Sequence, residues 1–199
     1  MHALAIGFGL GFLVALQLGP MSLFLIRSTL RSGLAVGLAI GGGIALVDAL
    51  YAALGAFGAA SLLSIDALRT AFALLGAAVL LALGARTLRD AFRSRDAAPG
   101  RAEAASPRRA FATAVAATAS NPATIASWAA IFAAASGTRA GSPALQILGV
   151  GLGSLCWVVL LAAGTASARR SVGARGMRIA DAIAGTGLVA FGCALAVVS

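Results

Sequence analysis

Residues 16–58 read LQLGPMSLFLIRSTLRSGLAVGLAIGGGIALVDALYAALGAFG. In this stretch one apolar run contains a Gly-Pro pair, and a second, glycine-rich run contains a single acid, Asp48. A proline inside a helix removes an amide donor and clashes with the carbonyl group four residues earlier, so the helix kinks or breaks there. Each run, followed to its limits in the chain, is long enough for a helix that crosses a bilayer core, about 20 residues. The stretch therefore predicts two transmembrane helices, the first of them broken at Gly19 and Pro20.

The composition of the whole chain agrees with a membrane protein. Of its 199 residues, 60% are hydrophobic and 11% are charged, whereas soluble domains carry about 25% charged residues. The mean hydropathy is +0.98. These values exclude a soluble globular protein.

The residues used most often in catalysis and metal binding are scarce. There is one histidine, His2, and the two cysteines, Cys156 and Cys193, have no Cys-x-x-Cys spacing. This pattern indicates no disulfide framework, no zinc site and no Ser-His or Cys-His pair. We therefore predict that the protein is not an enzyme and has no cofactor and no metal site.

Six apolar stretches have the length of a transmembrane helix. They are residues 3–26, 34–60, 67–85, 110–135, 144–168 and 179–198. Three spans in each half give the second half the opposite orientation in the membrane. The sequence thus predicts an all-α, polytopic protein with one transmembrane domain over residues 1–199, built as two inverted three-helix repeats. Repeat one is expected to cover residues 1–85, an Arg-rich linker residues 86–109, and repeat two residues 110–199.

Arginine accounts for the net charge of +9 and is unevenly distributed. Thirteen arginines, including Arg27 and Arg31, follow the first, third and fifth spans, and two, Arg69 and Arg139, lie on the opposite side. The positive-inside rule places the Arg-rich connections in the cytoplasm and both termini outside. Because these arginines lie between apolar stretches and not in an aromatic-rich groove, we expect no nucleic-acid partner.

A second break is predicted in the fourth span, at Asn121 and Pro122. It occupies the position in the second half that Gly19 and Pro20 occupy in the first. Broken backbone persists in a membrane only where protein or a water-filled cavity covers it, and paired interruptions in corresponding spans indicate a transporter's binding site. Ordinary proline kinks are the alternative.

Asp48 is the acid that lies deepest within a predicted span, where a charged residue costs roughly 2.5–3.5 kcal/mol. This cost predicts a function, either carrying a proton or pairing with a substrate ammonium group; a hydrogen-bonded structural carboxylate is the alternative. Polar residues near the breaks could cap loose backbone or bond to a neighbouring helix. The predicted pathway for substrate and protons comprises Asp48, Gln17, Gly19, Pro20, Asn121, Pro122, Ser120 and Thr124.

Other features predict packing. Small residues recur at every fourth position, which favours close contact between helices in a membrane. We expect Tyr51 and Trp128 to fill space, and Asp181, three residues after Arg178, to form an interfacial ion pair or to act as a first-turn acid. The small residues include Gly7 and Gly11 in the first span, Gly37 and Gly41 in the second, and Gly149 and Gly153 in the fifth.

Residues 16–58 and 108–135 resemble the LysE/RhtB family of amino-acid exporters. That family has Gly-Pro in its first span, a glycine-rich second span with an intramembrane Asp, a basic connection after the third and Asn-Pro in the fourth. The resemblance implies a multi-pass protein of the bacterial cytoplasmic (inner) membrane that exports amino acids or similar metabolites by using the proton motive force. Its partners are then the lipid bilayer, a small-molecule substrate and protons, and a homodimer is left open.

Two departures from the family pattern bear on the substrate. Met21 and Ser22 stand where many members have Asn or Gln-Asn, and Ala123 stands where a basic or amide residue often follows Asn-Pro. These differences disfavour a basic amino acid such as lysine. Three alternatives remain: a metal-cation (cadmium-type) exporter of the same superfamily, a membrane thiol or electron carrier, and an assembly subunit.

Overall fold

In the computed structural model, all regular secondary structure of the described residues is helical. The helices are α1 (His2–Leu16), α2 (Pro20–Ser32), α3 (Leu34–Ala56), α4 (Pro107–Ala119), α5 (Pro143–Ala168) and α6 (Ala174–Val198). The described residues are 2–17, 19–56, 74, 77, 78, 81–85, 88, 89, 106–121, 124, 127, 128, 131, 142–169 and 171–198. Most of the predicted third span and most of the predicted linker lie outside these ranges, so the six-span count and the division into repeats stay predictions.

Two of these helices, and one bent pair of helices, have the length and hydropathy of membrane spans. α3 and α5 are each long and apolar enough to cross a bilayer, with mean hydropathies of 1.9 and 2.2. α1 and α2 meet the same criterion together, as a pair bent by 76°. By length and composition, the described part of the chain therefore contains two candidate spans, or three if the bent pair is one broken span.

The break predicted at Gly19 and Pro20 is confirmed, and it makes α2 a separate helix. Pro20 is at the first helical position of α2, where its missing N–H has no intrahelical partner to lose. α2 ends at Ser32 and is followed by Gly33, whose φ of 92° is disfavoured for residues with a Cβ. Because α2 runs to Ser32, Arg27 and Arg31 are helical, whereas the sequence predicted that both lie in a connection.

Close glycine contacts join α1 to α5, as the spacing of small residues predicted. A side chain at any of four glycines would collide with the backbone of the facing helix. Contact positions advance in the same direction along both helices, so α1 and α5 run parallel. The glycines are Gly7, Gly11, Gly149 and Gly153, and they face Gln146, Val150, Leu4 and Phe8, respectively.

α3 occupies the centre of the bundle, between α4 and α5. Gly37 of α3 faces Ala162 of α5, and Gly41 faces Val158, so α3 and α5 run antiparallel. Large aliphatic residues on the outer face of α5 are exposed, as expected of a surface in contact with lipid. They are Leu145, Leu148, Leu152, Leu155, Val159 and Leu160.

Candidate functional site

A cavity of about 220 Å³ lies where α1 and α2 separate, against α3, α5 and the end of α4. It brings together six of the eight residues that the sequence predicted for the pathway, from both breaks and from α3. These six are Gln17, Gly19, Pro20, Asp48, Asn121 and Thr124. The remaining lining residues are Val14, Ala15, Met21, Ser22, Ile44, Thr118, Ser127 and Val158.

The other two predicted residues do not contribute to the described lining. Ser120 is buried, but its Oγ donates a hydrogen bond to the Ala116 carbonyl at 2.6 Å and it is not among the lining residues. Pro122 lies outside the described residues. α4 ends at Ala119, two residues before Asn121. A helix therefore stops just before the predicted second break, as expected on that side of it.

Asp48 is held by two neutral hydrogen-bond donors. Its side chain is 2% exposed; Trp128 Nε1 donates to Oδ1 at 3.1 Å and Ser154 Oγ donates to Oδ2 at 2.7 Å. No ion pair of Asp48 occurs among the described residues. One donor, Trp128, follows the predicted second break and the other, Ser154, is on α5, so this carboxyl group connects three parts of the bundle.

The two donors differ in what they allow at the carboxyl group. An indole N–H can only donate, whereas a hydroxyl group can donate or accept. Oδ1 therefore remains an acceptor toward Trp128 in either protonation state. Oδ2 can take up a proton if the Ser154 hydroxyl turns from donor to acceptor, which permits proton exchange without a change in the partners of Asp48.

Two further residues near the cavity carry polar functions that the sequence did not indicate. Tyr51 was predicted to fill space. Its hydroxyl donates a hydrogen bond at 2.5 Å to the Ala119 carbonyl, the last one of α4, which has no acceptor role within the helix. Thr118 lines the cavity and is 2% exposed, yet within the described ranges its Oγ1 has no hydrogen-bond partner. A buried hydroxyl without a partner costs about 1–3 kcal/mol, which makes Thr118 a candidate ligand for a bound molecule.

A second buried acid, Asp181 of α6, lies in an ionic cluster. Arg27 Nε donates to its Oδ1 at 2.9 Å, and Arg31 Nε lies 3.0 and 3.1 Å from its two carboxylate oxygens. Arg31 Nη2 also bonds to Oδ2. The expected ion pair thus exists, but with α2, because Arg27 and Arg31 share one face of that helix. Arg178, the partner that the spacing suggested, is exposed.

A helical bundle in which a helix break borders a cavity with a buried acid has the architecture of a membrane transporter. A family model described as LysE type translocator matches residues 12–199. The chain therefore belongs to the LysE type translocator family, and the resemblance drawn from the sequence is confirmed. No curated protein and no solved structure gives a significant match. Membership supports a multi-pass membrane protein that exports small molecules.

Proposed function

We propose that this protein is a secondary exporter of amino acids or related small metabolites across the bacterial cytoplasmic membrane, driven by the proton motive force. Substrate enters from the cytoplasm, binds beside Asp48 and leaves on the outer face as two inverted repeats rock against each other. The observation that carries this proposal is the cavity at the break between α1 and α2, because it also contains a buried acid and Asn121 from the end of α4.

Helix directions support six spans in two inverted repeats. α1 and α5 are parallel and α3 and α5 are antiparallel, as expected if they are the first, second and fifth of six successive spans. α1 packs on α5, and α3 packs on α4. An axis that exchanges spans one and four, and two and five, relates these two pairs. The Arg-rich connections then face the cytoplasm.

Asp48 is the proposed proton carrier. Its Ser154 partner can stay bonded whether Oδ2 is protonated or not, so a proton can enter or leave without breaking the packing of α3 on α5. The cavity next to it gives substrate access to the same carboxyl group. Proton and substrate can therefore compete for one site, the simplest basis for coupled exchange.

The cavity favours a small, polar substrate. Among the described lining residues Asp48 is the ionisable one, and the others supply hydroxyl, amide and apolar groups. An ammonium group can bind Asp48, and a carboxylate or hydroxyl group of the same molecule can accept a hydrogen bond from Thr118, whose hydroxyl is unused among the described residues. A volume of about 220 Å³ is below the roughly 300–1,000 Å³ of drug-sized sites, so we propose a substrate of metabolite size.

Metabolite profiling of the culture medium tests the proposal. Cells that overproduce the protein should release one class of small amino acids or related metabolites, and deletion cells should retain it. A protonophore should abolish the difference. Release that is unaffected by the protonophore would contradict proton coupling, and media of identical composition would contradict export.

The same strains test the alternatives. Cys156 and Cys193 are free, the first half-buried and the second exposed. Replacing both with Ala should leave export unchanged, and a loss of export would instead support the thiol carrier. Unchanged cadmium tolerance in the deletion strain is expected, and a lowered tolerance would support the metal exporter.

A further inference from the structure

The Arg27–Arg31–Asp181 cluster joins a helix from the first half of the chain to a helix from the second. The Asp181 side chain is 1% exposed, and those of Arg27 and Arg31 are 12% and 20% exposed. Arg31 donates from Nε to Oδ1 and from Nη2 to Oδ2 of Asp181, the two-pronged geometry that makes arginine–carboxylate pairs strong. Removing these charges from water carries a penalty that often equals the attraction. Stability alone is thus a weak reason for such a cluster.

α2 connects this cluster to the cavity. At its beginning, Pro20, Met21 and Ser22 line the cavity, and Arg27 and Arg31 follow about two and three turns later. A helix of 13 residues is about 20 Å long and moves as one body. A displacement of its first turn therefore also shifts Arg27 and Arg31 relative to Asp181.

Both ends of α2 are places where the backbone can turn. Before it, the chain bends by 76°, and after it Gly33, with φ 92°, leads directly into α3. In this structure the far end is held on α5 as well, because Arg169 Nη2 donates to the Arg31 carbonyl at 3.0 Å. α2 thus lies between a bend and a glycine with positive φ, and its Arg-rich end is bonded to α5 and α6.

We propose that the Arg27–Arg31–Asp181 cluster, at the end of α2 away from the cavity, is the gate on the cytoplasmic side. Intact ion pairs hold α2 against α6 and close the path to the cytoplasm, and their separation lets α2 swing away and admits substrate. Partial exposure of both guanidinium groups suits this role, because water at that end can solvate them when the pairs part. The inference rests on the proposed export function and on the cytoplasmic position of the Arg-rich end.

Cysteine labelling tests the gate without knowledge of the substrate. In a protein with Cys156 and Cys193 replaced by Ala, Ser127→Cys provides one thiol in the cavity lining. Inverted vesicles expose the cytoplasmic face to a membrane-impermeant maleimide. Asp181→Asn should raise the labelling rate at least about tenfold, which corresponds to a shift of about 1.4 kcal/mol toward the open form.

Further variants serve as controls. Arg178→Gln removes an exposed arginine one turn before Asp181 and should leave the rate unchanged. Asp181→Glu keeps the carboxylate and should remain slow. If Asp181→Asn does not reach the membrane, Arg27→Gln and Arg31→Gln, each of which leaves one arginine bound to Asp181, should give intermediate rates.

Three results would contradict the inference. Equal rates in Asp181→Asn and the parent protein would mean that the cluster is a static link, with the export function unaffected. A rise confined to right-side-out vesicles would place the cluster at the other face. Absence of labelling from either face in every variant would show that the cavity is closed to water, which contradicts the proposed function itself.

Discussion

Asp48 and Asp181 are both buried acids, but their surroundings have little in common. Asp48 is 2% exposed, accepts hydrogen bonds from an indole and a hydroxyl group, and borders a cavity. Asp181 is 1% exposed, binds two guanidinium groups and is not among the described lining residues of that cavity. Neutral donors tolerate both a charged and a protonated carboxyl group, whereas two arginines require the charge. Burial therefore does not by itself reveal the role of an acid; its partners do.

The largest expected effect is on transport by Asp48→Asn. The amide oxygen can accept from Trp128 and the amide nitrogen can donate to the Ser154 hydroxyl, so both contacts survive while the exchangeable proton is lost. Efflux from proteoliposomes of the metabolite found by profiling, driven by a pH gradient, should fall to the level of empty vesicles. Thermal unfolding in detergent should change little.

Retained proton-driven efflux in Asp48→Asn would remove Asp48 from the mechanism. A large loss of stability would instead support the alternative, a structural carboxylate. Both measurements on the same preparation are needed, since a misfolded transporter is also inactive.

Asp181→Asn should instead have its main effect on stability. It removes the charge that Arg27 and Arg31 both bind, and removing one partner of a buried ion pair costs about 3 kcal/mol. The melting temperature in detergent should drop clearly, whereas Arg178→Gln should melt like the parent protein. Equal melting temperatures for Asp181→Asn, Arg178→Gln and the parent protein would show that the cluster contributes little to stability. Asp181 and Asp48 would then not differ in their structural role.

Ser154→Ala sharpens the comparison at the Asp48 end. It deletes the hydroxyl that bonds to Oδ2, and a hydrogen bond to a charged group is worth about 1.5–3 kcal/mol, so proton-driven efflux should fall by a factor of roughly 10 to 100. Ser167→Ala, on the same helix but exposed and bonded to its own backbone, should transport normally. Equal efflux from both variants would contradict the role given to Ser154.

Thr118→Val should have the smallest effect. A neutral hydrogen bond to substrate of about 1 kcal/mol corresponds to about a fivefold rise in KM, with kcat nearly unchanged. Stability should stay equal or increase, because the buried hydroxyl has no partner among the described residues. Thr118→Ser should recover most of the affinity. A KM that does not change would leave Thr118 out of the binding site.

Local chemistry made much of this site predictable. Proline and glycine spacing indicated the break at Pro20, and the cost of a charge in hydrocarbon singled out Asp48. The donors to Asp48 could not be found in the same way, because Ser154 is 106 residues away along the chain and its direction depends on how α3 and α5 pack. Arg27 and Arg31 were misjudged since the apolar run ends before α2 does.

The glycine contacts between α1 and α5 impose an order on biogenesis. Gly7 leaves the ribosome 139 residues before Gln146, the position it faces, and at roughly 5–20 residues per second this gap lasts roughly 7–28 seconds. α1 therefore remains in the bilayer, or bound to an insertase, without its packing partner until α5 has been translated. Truncated chains that stop before the fifth segment cannot form this seam and are expected to be early substrates for membrane quality-control proteases.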